Sequence, residues 1–239
     1  MKAPIDISPV EATPGRTLVS HPVSAVLDRE FEEWRSADRL VSIGESVALE
    51  IRGGGVETLA HYTSFRAGAH WGIYIKRQGI LGVAAHLTAG TQTKRAIKLA
   101  YKALYHHELF HFRVDCAYLK LEHALKNLAP EVALQQEHQS KYGAYDPLEE
   151  ALANAYAIRR AKESATKSSL SKLFKNSPPG YKDFGKFLPD EAFRDGLSHL
   201  IGASGTDLER QSDVSGLGFL VDFNDSEING VHVPVYLEH

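Results

Sequence analysis

Two histidines four residues apart, inside one long amphipathic run, constrain this chain more than anything else in it. From Lys94 to Asn127 the residues Ile97, Ala100, Leu104, His107, His111, Val114, Tyr118, Leu121 and Leu125 recur at steps of three and four, the period of one helix face. His107 and His111 therefore stand one turn apart and point the same way, toward the interior.

Two imidazoles so placed converge on one tetrahedral metal ion. Glu108 lies about 100° around the helix axis from His107, close enough for its carboxylate to take a proton from a water that the ion activates, without being a ligand itself. The string His107-Glu108-Leu109-Phe110-His111 is thus the HExxH arrangement, and this chemistry explains its spacing. A catalytic zinc ion takes three protein ligands and leaves a fourth position to water. The extended pattern HExxHxxGxxH would require Gly at 114 and His at 117, where this chain has Val114 and Ala117.

The better third ligand lies downstream. Asp146 as N-cap, Pro147 at the first helical position and Glu149 three after the cap form a capping box, which predicts a second helix from here and occupies Glu149 locally. Glu150 is left to face the first helix as the third ligand. Asn154, one turn on, is placed to orient a histidine from behind. Ala151, Ala153, Ala155 and Ala157 keep the helix slim enough for close approach.

On these residues the chain resembles the gluzincin branch of the HExxH zinc metallopeptidases. The string Glu150-Ala151-Leu152-Ala153-Asn154-Ala155-Tyr156-Ala157 is most similar to the ExxAN-x-FA element of the ImmA/IrrE-type intracellular peptidases. The resemblance covers about residues 70 to 160. Tyr156 stands where Phe is commoner, and Phe110 precedes the second histidine in place of the frequent small residue. It implies an α+β, zincin-like fold, with a small mixed or antiparallel sheet packed on the HExxH helix and on a second helix carrying the third ligand. It also implies a Zn2+ cofactor and hydrolysis of peptide bonds in a protein substrate, in a bacterial regulatory, stress, toxin or defence context with room for a regulatory partner. The alternative from another class is a metal-stabilised protein-binding or effector module without turnover.

At 239 residues and 43% hydrophobic the chain can bury one sizeable core. One domain is expected over 23–239, with an extended arm at 1–22 marked by Pro4, Pro9, Pro14, Gly15 and Pro22, and an insertion or lid at about 162–190. A formal net charge of -3 gives no global attraction for nucleic acid or an anionic membrane. Cys116 is the single cysteine, so no intrachain disulfide forms, and at about 180° from His107 around the helix it reads as a packed thiol. With no long apolar run and no leader, the expectation is a soluble, cytoplasmic protein.

Along the chain, Ser24 to Leu40 suits an amphipathic helix. Glu45 to Arg52 alternates Val47, Leu49 and Ile51 against polar neighbours, which predicts a half-buried strand ended by Gly53-Gly54-Gly55. His70 to Lys76 and Ile80 to Leu87 read as a hairpin leading into the HExxH helix, with one strand serving as an edge for an extended substrate. His61, His70 and His86 have no partner at ligand spacing and are read as surface or hydrogen-bonded histidines. Tyr142 and Tyr145 precede the Glu150 helix as packing residues. Lys162 to Lys186 is lysine-rich with interleaved Phe174, Tyr181, Phe184 and Phe187, a weak hint of base stacking; a solvated helix with a lid is the simpler reading. Glu191 to Leu200 predicts another helix. Asp207 in Gly205-Thr206-Asp207 is a distant rival to Glu150. A terminal hairpin is expected from 217–223 and 231–236, and Leu237-Glu238-His239 has the look of a cloning scar.

Overall fold

The computed structural model describes residues 16–19, 37–65, 70–87, 92–126, 147–202 and 233–238. The strands are β1 (Arg16–Val19), β2 (Ala60–Thr63), β3 (Gly72–Lys76) and β4 (Val235–Glu238), and the α-helices are α1 (Ala37–Gly54), α2 (Arg77–Leu87), α3 (Thr93–Lys126), α4 (Pro147–Arg160), α5 (Ser164–Phe174) and α6 (Asp190–Gly202). Short 3-10 segments run over Val56–Thr58 and Tyr181–Phe187. The architecture is mixed α+β, mostly helical, around a small sheet.

The sheet order is β1-β4-β3-β2, antiparallel at both ends and parallel between β3 and β4. Ile73 N–H donates to the Pro234 carbonyl and Lys76 N–H to the Leu59 carbonyl, so odd positions of β3 face β4 and even ones face β2. In an antiparallel pair that alternation leaves the backbone groups of Ala60 and Tyr62 pointing away from β3, along the outer edge of β2.

Several expected elements come out differently. Glu45 to Arg52 is helical, within α1. Its buried positions are Gly44, Val47 and Ile51, at steps of three and four, while Leu49 is 63% exposed. The apparent alternation came from one apolar residue on the solvent side. Ile80 to Leu87 is also helical, in α2, so the hairpin with 70–76 does not form. A short, wholly buried apolar run carries no period to tell strand from helix. Close packing of α1 on α2 decides it here: a Cβ at Gly82 would meet Val47 Cγ2 at 2.2 Å, and one at Gly44 would meet Ala85 Cβ at 2.9 Å.

The stretch expected as an insertion or lid at 162–190 contributes apolar side chains to the core. Leu170, Phe174 and Phe184 are at most 1% exposed and belong to the same apolar cluster as the long helix. Residues 16–19 of the expected arm are a paired strand. β4 has β1 on one side and β3 on the other, so it is not half of a terminal hairpin, and Leu237, 1% exposed and paired with Ile75, is part of the fold. Of the helix expected over Ser24 to Leu40, residues 37–40 are described and open α1. Tyr142, Tyr145, Asp146, Asp207 and 217–223 lie outside the described residues.

Candidate metal centre

α3 runs from 93 to 126, within a residue of the span its apolar period predicts. α4 begins at Pro147 as expected and packs against α3, and its alanines at 151, 153, 155 and 157 are at most 1% exposed. Their small size lets the backbones approach, which brings Glu150, 1% exposed, to the histidines.

Glu57, His107, His111 and Glu150 offer ligand atoms that all lie within 4.8 Å of one another. His107 Nε2 and His111 Nε2 are 3.4 Å apart. Glu150 places Oε2 3.3 Å from His107 Nε2 and Oε1 3.5 Å from His111 Nε2, and Glu57 Oε1 is 3.6 Å from His111 Nε2. These separations are longer than a good hydrogen bond, about 2.9 Å. Those of His107 with His111 and with Glu150 match the edge of a tetrahedron whose centre-to-vertex distance is a metal–ligand bond of about 2.0–2.1 Å, which is roughly 3.3–3.4 Å, and the other two are slightly longer. Apart from the hydrogen bond between Glu57 and Glu150, the side chains stand at separations suited to surround an ion. The cluster can hold a metal ion.

Charge and burial agree with that spacing. Burial, first, and then the neighbouring His111 hold His107 down at about 3, so its ring is neutral and its lone pair available. Burial disfavours a charged His111, but the Glu150 and Glu149 carboxylates outweigh it and raise this group well above the ordinary histidine value. Glu57 is pushed up to about 8 by burial and then by its hydrogen bond and charge contact with Glu150. Metal-free, the pocket crowds carboxylates that a cation would relieve.

Glu108 is fully buried on the same helix, and burial raises its carboxyl well above the ordinary value, with the Tyr62 backbone N–H supplying a partial counterweight. Neither carboxylate oxygen meets full hydrogen-bond geometry. Asn154, also fully buried, is the hydrogen-bonding neighbour of His107, although neither its Oδ1 nor the His107 Nδ1 reaches full hydrogen-bond geometry; its amide nitrogen donates to the Tyr181 carbonyl. The expected contact of Asn154 with a histidine is thus close but not closed.

Glu149 is not spent on a local cap. Its Oε1 is 2.8 Å from His111 Nδ1, the ring atom on the far side from the cluster. Glu57 is the ligand-set member that the sequence reading missed: it follows three glycines and one valine, and nothing in that pattern separates it from a solvated turn carboxylate. His61 stacks on Tyr74 and His86 bonds the Gly44 carbonyl, both away from the cluster. Among the described residues, no helix is long and apolar enough to cross a membrane.

Comparison with known proteins finds no family model, no curated protein and no solved structure that matches this chain.

Proposed function

We propose that the chain is a zinc-dependent metallopeptidase that hydrolyses peptide bonds in a protein substrate. The observation that carries this reading is the tetrahedral-edge spacing of His107, His111 and Glu150, with the buried Glu108 one residue from the first histidine. Zinc, when bound by these residues, supplies a Lewis acid that activates water and polarises a carbonyl. Glu108 is suited to accept a proton in the site and deliver it to the leaving amine. Its raised pKa keeps proton affinity high in a pocket that water does not screen. Glu149 orients the His111 ring from behind, and Asn154 stands close behind that of His107.

β2 is the outer strand of the sheet among the described residues, but Ala60 is buried and the Tyr62 N–H is turned to Glu108, so this edge is covered rather than open to a peptide. Tyr62 N–H acts on Glu108 and helps to hold the proton acceptor from the sheet side. A cytoplasmic regulatory, stress, toxin or defence peptidase acting on a chosen protein, under a partner's control, is the context that the resemblance to the ImmA/IrrE-type peptidases suggests.

A second reading is favoured by one observation. Glu57 supplies a fourth protein donor, and a fully protein-ligated zinc is the mark of a structural site. The chain would then be a metal-stabilised binding or effector module. Glu108→Gln separates the two in cells: new protein termini that appear with the wild type and vanish with the variant support the peptidase, while identical termini from both discard it.

A further inference from the structure

We propose that Glu57 is a displaceable fourth ligand that caps the solvent side of the metal centre and keeps it closed until a substrate or small ligand takes its place. The proposal rests on the metal-site reading above and asks how that site is opened.

The four donors are not equivalent in exposure. The side chains of His107 and Glu150 are 0% and 2% exposed, whereas those of His111 and Glu57 are 11% and 10% exposed. Water reaches the cluster from the side that Glu57 and His111 occupy. His111 is fixed there from behind by Glu149 and carried on a helix of 34 residues. Glu150 rises from a helix packed against that one.

Glu57 arrives differently. It sits on a single 3-10 turn, Val56–Thr58, between α1 and β2. The turn is entered through Gly55, whose φ of 75° and whose contact with the Tyr181 ring, 2.8 Å from where a Cβ would stand, admit glycine alone without strain. The buried neighbours Val56 and Leu59 and the Thr58 Oγ1 bond to the Gly55 carbonyl hold this turn's backbone in place. The carboxylate itself is at the end of a flexible side chain, and the groups acting on it are Glu150, His107 and His111, all members of the cluster. Rotating the Glu57 side chain would therefore vacate one donor position with no change in the backbone.

The location gives this exchange a purpose. Glu57 stands on the more exposed side of the cluster, so a ligand that enters from that side meets its carboxylate first and competes for its position. A capped centre would leave stray peptides untouched and act only on a partner able to displace the cap.

The test uses the full chain loaded with Co2+ as a spectroscopic stand-in for zinc, titrated with azide, in the wild type, Glu57→Gln and Glu57→Asp. The aspartate keeps the charge but falls one methylene short. Capping is supported if azide perturbs the visible Co2+ bands of both variants at concentrations at least about tenfold lower than in the wild type, and if both variants lose zinc affinity on the order of tenfold. Melting curves of the loaded forms identify any variant that fails to fold, and X-ray absorption of the zinc-loaded wild type, which must show four protein donors, then decides the matter. Equal azide response and equal affinity in all three, or a wild type with three protein donors and an exchangeable light atom, overturns the cap and leaves the peptidase reading standing. Failure of the wild type to take up Co2+ or Zn2+ overturns both.

Discussion

The Glu149 carboxylate meets His111 Nδ1 at 2.8 Å, on the opposite side of the ring from the atom that faces His107, Glu57 and Glu150. A histidine that gives Nε2 to a metal carries its proton on Nδ1, and an acceptor there fixes the ring's tautomer and direction. Glu149→Ala is expected to lower zinc affinity about 10–100-fold, read by competition with a fluorescent chelator. Unchanged affinity would mean that packing alone orients the ring.

Burial makes the metal-free protein sensitive to alkaline pH. Glu57 titrates at about 8 when folded, against 4.5 as a free side chain, and His111 is raised as well. The folded chain then holds protons that the unfolded chain has released, so the stability these groups contribute is present in acid and is lost as pH climbs. His107, depressed to about 3 from 6.5, acts the other way but is spent above 6.5. The chelated protein should therefore melt at progressively lower temperature from pH 6.5 to about 8.5. Zinc replaces those protons, so the loaded form should not show the fall. Higher stability of the chelated protein at the alkaline end would reverse the assignment.

The helix pair α1 and α2 closes on Gly82. A methyl there would lie 2.2 Å from Val47 Cγ2, deep in the contact. Gly82→Ala is expected to cost about 1–3 kcal/mol, a drop of roughly 2–4 °C in melting temperature per kcal/mol for a chain of this size. Gly53→Ala, in the same α1 with nothing within 4 Å of the added methyl, should be neutral or slightly stabilising. Thermal melts of the pair check both directions.

Residues 162–190 give a sharper contrast. Phe184 is 1% exposed and packs edge-on against Phe174. Phe184→Ala should cost about 3–5 kcal/mol in denaturant unfolding. A detached lid would lose little from the same change.

The metal face was legible because a 34-residue helix repeats its period many times over, so two histidines inherit the direction of seven apolar neighbours. Glu150 was legible through Pro147 and the alanines, which mark where a helix starts and how closely it packs. Glu57 was not, because it reaches the site from a single turn 50 residues before His107, and only the tertiary fold brings it there. Leu49 and the run 80–87 misled for a related reason. Stretches of eight residues carry one or two periods, and a lone exposed leucine or an all-buried run removes the signal that tells helix from strand. Phe174 and Phe184, embedded among lysines, looked like a solvated surface until the core they fill was seen.

Metal content tests the central claim most directly. The chain is purified without a polyhistidine tag, together with His111→Ala and Glu108→Gln, and bound metal is measured by elemental mass spectrometry. One equivalent of zinc per chain is expected in the wild type and in Glu108→Gln, with loss in His111→Ala. A wild type free of zinc after exposure to it, or zinc that persists undiminished in His111→Ala, would contradict a centre built from His107, His111 and Glu150.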